Sequence, residues 1–457
     1  MKALTLQQVA EATQGLASAE GVISGISTDS RHIQPGDLFI ALVGPNFDGH
    51  DYIADVMEKG AAAVLVSAAV AESIPSVLVS DTRLGLGLLS AFYRQQFSLK
   101  VAAVTGSNGK TTVKEMLACI LGECGLVLKT QGNFNNDIGL PLTLCNIEEK
   151  HDYAVIEMGA NHQQEIAYLS GLTQPHVAVI TNAGDAHIEG FGGRDGVAKG
   201  KGEIFSSLLV SGTAVINADD AYASFWQDLA KAYKICTFGM KASADVSTER
   251  SSIQVAFTEK GFSTQFDLHF QSKTYVVNLK VAGQHNVMNA LAAAAVAISM
   301  KADITDVVSG LNKMMPVDGR LQPYIGREGV RVLNDTYNAN PSSLAVGLDV
   351  LMACEGPHWL VLGDMGELGE DTKAIHESMG ALAKERGIDR LFAVGELSLG
   401  AVNAFGEGGR HFDDKGALVR AINQLEIEGV VILVKGSRLM KMETVVQGLC
   451  GYEESGC

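Results

Sequence analysis

Lys110 stands where its chemistry is easiest to read. It follows an apolar run, 101–104, and the turn Thr105-Gly106-Ser107-Asn108-Gly109, and it opens Lys110-Thr111-Thr112, after which Val113, Met116, Leu117, Ile120 and Leu121 recur at helical spacing. A strand, a glycine turn and a helix in that order are the context of a phosphate loop. Gly106 and Gly109 let the backbone curl so that successive N–H groups and the helix N-terminus face one anion. Lys110 adds a point charge for β- and γ-phosphates, and the Thr111 hydroxyl can ligate Mg²⁺. The longer phosphate-loop pattern has a glycine where Val104 stands here. Taken alone, the shortened loop also fits an ordinary glycine turn.

Two further segments carry an acid and an imidazole. The run 153–156 ends in Glu157-Met158-Gly159, and 177–180 ends in Thr181-Asn182-Ala183-Gly184-Asp185-Ala186-His187. Ligands of a doubly wound sheet sit beyond the carboxyl ends of its strands. Both segments therefore open toward the phosphate loop, where Glu157 can take one Mg²⁺ and His187 a second. Two metal ions would neutralise an anionic acceptor beside a triphosphate. Singly, His187 also reads as a loop histidine bonded to backbone, and Glu157 as a solvated strand-end carboxylate.

The elements that must position these groups form three units. Residues 1–97 combine short strand-like runs at 37–43, 62–67 and 76–79 with helical stretches such as 52–59. They predict a small α/β domain. Across 98–315, buried-type strands at 101–104, 153–157, 177–181 and 214–217 alternate with helices, which implies a mostly parallel sheet covered on both faces. Within that span, 243–282 reads as antiparallel strands and 289–300 as an alanine-rich helix. The turn Met315-Pro316-Val317-Asp318-Gly319 introduces 316–457, a second strand–helix alternation expected to be Rossmann-like. No internal repeat of solenoid length occurs.

Composition narrows the function. With 35 basic and 52 acidic residues, net charge −17, the chain of 457 residues offers no large positive face for nucleic acid. Anionic ligands must then be gripped locally. No apolar stretch approaches the ~20 residues of a membrane span, and the polar Gln7 and Gln8 speak against a signal peptide. Seven cysteines, Cys119, Cys124, Cys145, Cys236, Cys354, Cys450 and Cys457, form no CxxC pair, which fits reduced thiols in the cytoplasm.

Over nearly its whole length the chain resembles the Mur ligases, ATP-dependent amide-forming enzymes of peptidoglycan synthesis. The resemblance rests on Gly106 to Thr112, on Gly283-Gln-His285-Asn286-Val-Met-Asn289, Asp318-Gly319-Arg320, Asn334-Asp335-Thr336-Tyr337-Asn338-Ala339-Asn340-Pro341 and Lys435-Gly436-Ser437-Arg438. Five stretches are similar to the branch that joins D-alanyl-D-alanine to UDP-N-acetylmuramoyl-tripeptide: Ser27 to Arg31, Phe47 to His50, Asn133 to Gly139, Tyr337 to Pro341 and Leu362 to Gly369.

That resemblance implies an N-terminal domain for the UDP end of the acceptor, a central ATPase domain and a C-terminal domain that closes over both. Thr28, Ser30, Asn46 and Phe47 would lie near the UDP-sugar, with Asn135 and Asn136 near the muramoyl or peptide part. Asn286, Arg320 and Asp335 would meet ATP, with Tyr337 and Asn338 beside it. Lys435 or Arg438 would hold the carboxylate of the dipeptide, unless they form surface ion pairs. A family lysine is carbamylated and bridges metal ions; Lys201 is favoured here, with Lys199 the other candidate. Turn and capping chemistry is the ordinary alternative for the Thr, Ser and Asn positions. A monomer is expected. The rivals are another Mur-type or folylpolyglutamate-type ligase, separable by the amino acid consumed, and a non-catalytic nucleotide switch, which would leave the N-terminal motifs without a task.

Overall fold

The computed structural model describes residues 1–184, 188–241, 243–258, 261–369 and 371–451. His187 therefore lies outside the described residues.

Three sheets account for the three α/β stretches. In the first, the order is Leu16–Ala17, Ser76–Leu78, Ala63–Val66, Asp37–Ile40, Gly25–Ser27, and only the Leu16–Ala17 edge runs antiparallel. The second has ten strands. Lys100–Thr105 lies between Tyr153–Glu157 and Val177–Ile180, parallel to both, and the sheet continues through Thr213–Asn217 and Lys234–Gly239 to Val246–Ser247. The antiparallel strands Gln254–Thr258, Gly261–Phe270 and Lys273–Leu279 extend this same sheet. The third orders Gln322–Ile325, Arg331–Asp335, Val431–Lys435, His358–Gly363, Arg390–Val394 and Gly409–Phe412, parallel apart from its first strand. Mixed, mostly parallel α/β architecture is thus borne out.

The placement of the phosphate loop follows from this order. The chain leaves Lys100–Thr105 toward one side of the sheet, through Val127–Lys129 and Tyr153–Glu157, and then crosses to Val177–Ile180 on the other. Loops at the carboxyl ends of these strands diverge around a crevice, the usual ligand position in such sheets. Helix Lys110–Leu121 packs against the alanine-rich helix Gln284–Ser299, in which Ala290 and Ala292 to Ala295 are all buried. Small side chains let the two helices approach closely.

One continuous core runs from Leu6 and Leu38 of the first sheet to Ile156 and Ile216 of the second. Helix Thr82–Arg94 carries that junction, packing on Gly139–Cys145 and Glu165–Thr173. The first unit is therefore docked against the central sheet through shared apolar burial, the dominant favourable term in such packing.

Candidate functional site

Gly106 and Gly109 adopt φ of +148° and +84°, where a side chain would be strained, and neither has room for one. A Cβ on Gly106 would overlap the Thr181 hydroxyl, and one on Gly109 the Asn289 amide. The loop is pinned from the neighbouring strand end: Ser107 N–H donates to Asn182 O at 3.0 Å, Asn108 N–H to Asn182 Oδ1 at 3.0 Å, and Thr181 Oγ1 to Asn108 O at 2.6 Å. No side chain caps helix Lys110–Leu121, so its first N–H groups point unclaimed into the crevice. Lys110 Nζ is folded over the loop, donating to Gly106 O at 2.7 Å and Ser107 O at 3.3 Å. Burial lowers its pKa. An anion in front of the loop would offer that ammonium a charged partner in place of two carbonyls.

Glu157 ends its strand 1% exposed. Its Oε1 accepts from Asn135 Nδ2 at 2.8 Å, while Oε2 has no hydrogen bond and sits 3.9 Å from Lys114 Nζ. A buried carboxylate oxygen lacking a donor is expensive unless a cation completes it. Glu157 and the buried Thr111 hydroxyl are oxygen donors suited to a hard cation. Among the described residues no three His, Cys, Asp or Glu gather as a metal cluster.

Lys201 and Lys199 separate cleanly. Lys199 is exposed, whereas Lys201 is 1% exposed, its Nζ without a hydrogen bond and 5.0 Å above the Phe191 ring. Burial, together with the positive charge of Lys110, lowers its pKa to about 7. A neutral amine at ordinary pH is thus available in the position favoured from sequence.

The crevice divides into two cavities. One, of about 360 Å³, is bounded by Lys110, Thr111, Asn135, Glu157, Arg320 and Tyr337, and also touches Ser107, Asn136 and Asn338. The other, of about 300 Å³, includes Thr112, Asn286, Asn289, Arg320, Asp335 and Lys435. The third sheet closes both: Asn108 Nδ2 donates to Ser342 Oγ at 3.0 Å, and Asn340 Nδ2 to Asn108 Oδ1 at 3.2 Å. The Arg320 guanidinium stacks 4.0 Å from the Tyr337 ring centre, with its Nε unpaired.

Other sequence candidates sit elsewhere or hold other partners. Of the first unit's candidates, Thr28 lies in a bend, Asn46 in a turn, Ser30 opens the 3-10 helix Ser30–His32 and Phe47 the strand Phe47–Asp48; none lines either cavity, and Asn46 and Phe47 are exposed. Asn136 caps the Gly139–Cys145 helix start through its Oδ1 and Gly139 N–H at 2.9 Å. Arg438 pairs with Glu443 at 3.2 Å, the surface alternative. Lys435 is buried against Asp335 and donates to Asn338 O at 3.0 Å. Its charge is thus committed to Asp335 in this arrangement. Lys435→Met would strand that carboxylate without its cation and should lower the unfolding free energy by about 3–5 kcal/mol, measured by urea denaturation beside the parent protein.

Sequence reasoning missed Lys114. It is buried, donates to Thr130 O at 2.8 Å, and lies 3.1 Å from Glu115, which itself pairs with Lys129. A cation thus backs the Glu157 carboxylate. Its signal was a lysine one turn into a helix whose neighbours Val113 and Met116 are core residues.

Comparison with known proteins accords with this geometry. Residues 22–93 match the Mur ligase family, catalytic domain; residues 104–297 match the Mur ligase middle domain; and residues 319–438 match the Mur ligase, glutamate ligase domain. The UDP-N-acetylmuramoyl-tripeptide--D-alanyl-D-alanine ligase of Escherichia coli is 43% identical over 98% of this chain and 99% of its own, and that of Bacillus subtilis is 36% identical over 97% and 98%. A crystal structure of MurF from Acinetobacter baumannii superposes with a TM-score of 0.92 at 37% identity, covering 99% of both chains. MurF from Thermotoga maritima in complex with ADP gives 0.83 at 28%, over 94% of this chain and 97% of that one. Likeness to a folylpolyglutamate synthase, TM-score 0.65 at 15% identity over 80% of this chain and 94% of that one, shows shared fold alone. The chain belongs to the Mur ligase family, whose members are ATP-dependent amide-bond-forming ligases.

Proposed function

We propose that this enzyme joins D-alanyl-D-alanine to UDP-N-acetylmuramoyl-tripeptide at the expense of ATP, a step of peptidoglycan precursor synthesis carried out in the cytoplasm by a monomer. Its relatives carry that activity in their names over almost the full length of both chains. The observation that carries the mechanism is the convergence of Lys110, the open helix N-terminus and the half-satisfied Glu157 on one cavity. On this reading 1–97 receives the UDP end, 98–315 binds ATP and 316–457 closes the site.

A carboxylate does not condense with an amine in water because its leaving group would be oxide. Phosphorylation supplies a better one. The acceptor carboxylate oxygen attacks the γ-phosphorus, the bond to the β-phosphate oxygen breaks, and ADP departs. The dipeptide amine then attacks the acyl carbon, inorganic phosphate leaves with the bonding electrons, and the nitrogen loses its proton. Negative charge gathers on oxygen in both steps. Lys110 and the loop N–H groups face that charge from fixed positions, an arrangement worth roughly 3–4 kcal/mol per key donor. Mg²⁺ held by Thr111 and Glu157, with His187 and a carbamate on Lys201 completing the set, would supply further positive charge at the phosphate oxygens. Asn286, Asn289 and Asp335 bind the nucleoside side, and Arg320, oriented by stacking on Tyr337, reaches both cavities. Asn135 orients Glu157 and faces the acceptor. Thr28, Ser30, Asn46 and Phe47 receive the uridine end. Lys435 serves by holding Asp335 and Asn338, and Arg438 takes the dipeptide carboxylate only by exchanging Glu443.

Phosphate release is expected to require ATP, Mg²⁺, acceptor and dipeptide together, with amide product confirmed by mass spectrometry. Release without dipeptide at more than about a tenth of the full rate would count against water exclusion by the closed third sheet.

A further inference from the structure

A third cavity, of about 470 Å³, opens beside the reaction cavity, between the first unit and the central sheet. The two share Asn136, Gly159, Asn161 and Glu165 as walls, so one ligand can occupy both. Charge of both signs lines it. Arg83, from helix Thr82–Arg94, grips Asp137 through Nε and through Nη2, the latter at 2.7 Å from Oδ1. Asp81 stands at the same helix start, its Oδ1 already accepting from Arg83 and Leu84 N–H at 2.7 and 3.0 Å. Glu165 lies opposite, held by Asn161 N–H at 2.8 Å. Leu84, Tyr168 and Leu169 give the cavity an apolar flank.

The walls are set by packing. Tyr168 lies so close over Gly87 that a methyl there would overlap its hydroxyl, and the shared core holds helix Thr82–Arg94 to the central sheet. Arg83 and Asp137 therefore meet across a rigid junction.

We infer that this cavity takes the side chain of the acceptor's third residue, and that Arg83 selects a side chain ending in both an ammonium and a carboxylate, as in diaminopimelate, over lysine. The inference rests on the ligase reading above. The carboxylate to be phosphorylated must lie before Lys110, and its side chain then starts at the shared wall. An arm of three or four methylenes with C–C bonds of ~1.5 Å spans about 5 Å, enough to pass from one cavity into the next. A bare ammonium would suit Asp81, Asp137 and Glu165 but would be repelled by Arg83. A zwitterionic end satisfies both signs. Two of the five Arg83 donors face Asp137, and the others are free to take a second carboxylate. A guanidinium in a pocket built for ammonium is an element directed against the wrong partner.

The test compares acceptors carrying diaminopimelate, lysine, and diaminopimelate amidated at its distal carboxylate. The wild-type enzyme should favour the first by about 30-fold or more in kcat/KM, chiefly through KM, with the amidated form near lysine. Arg83→Met should bring the diaminopimelate-to-lysine ratio to within about threefold of one, and Arg83→Lys should fall between. A wild-type ratio near one with brisk turnover of both would overturn this inference and leave the ligase reading standing. Turnover of neither acceptor would overturn both. If Arg83→Met fails to fold, the amidated acceptor on unaltered protein decides: equal use of it and of free diaminopimelate refutes selection by Arg83.

Discussion

Lys110→Met should lower kcat by about 10³-fold while leaving the protein as stable as before, or slightly more so. The two halves of that expectation have one cause. Lys110 is half-buried with only loop carbonyls as partners, at 2.7 and 3.3 Å, and burial already disfavours its charge. Removing an incompletely compensated, partly desolvated cation relieves the resting protein. In the reaction the same cation faces charge that grows on the transferring phosphoryl group, so its loss is felt most there. Lys110→Arg should not restore the rate, because a guanidinium is wider than the ammonium that the turn between Gly106 and Gly109 encloses. Rates under single turnover, with unfolding followed in parallel, check both halves. A variant within about tenfold of the parent would remove Lys110 from the chemistry.

The loop was legible because its signal is local. A strand, two glycines and a lysine at a helix start determine where the N–H groups point, whatever surrounds them. Glu157 was legible for a related reason, since the end of a parallel strand opens on the ligand face. Partnerships between distant segments were not. Asp335 and Lys435 are one hundred positions apart, and they meet because Arg331–Asp335 and Val431–Lys435 run parallel with those two residues in register. Spacing cannot reveal that register, so Lys435 reads from sequence as a ligand for dipeptide, whereas here it neutralises a neighbour. Arg83 and Asp137 escaped notice likewise, being joined only when the first unit docks. Two further strands, one at a sheet edge and one inside a sheet, were also invisible. Gly409–Phe412 and Lys234–Gly239 offer little apolar alternation because one side of each is partly solvated. The short helix Ser398–Phe405 has a glycine inside it that weakens its pattern. His187 remains a proposal from its strand-end position alone.

Lys201→Met should abolish turnover almost as completely as loss of Lys110, by about 10³-fold, and for a different reason. An ammonium with no hydrogen bond, buried against Phe191, is a poor resting state, and its pKa of about 7 says that much of the population is neutral amine. A neutral amine adds CO₂ and loses a proton, giving a carbamate whose oxygens would be available as metal ligands. The pH dependence follows with a definite sign. The pKa is depressed on folding, so between pH 7 and the ordinary value of 10.5 the unfolded chain binds the extra proton, and stability rises with pH across that window. Lys201→Met should therefore be more stable than the parent near neutrality, with the advantage fading toward pH 10.5. Below pH 7 the amine becomes ammonium and carbamate formation should fall by about tenfold per pH unit. Enzyme stripped of CO₂ in mild acid should lose activity and regain it when bicarbonate is added at pH 8, and the methionine variant should show no such recovery. Activity independent of bicarbonate throughout, with the methionine variant retaining more than about a tenth of the parental rate, would leave Lys201 as a buried lysine without a catalytic task.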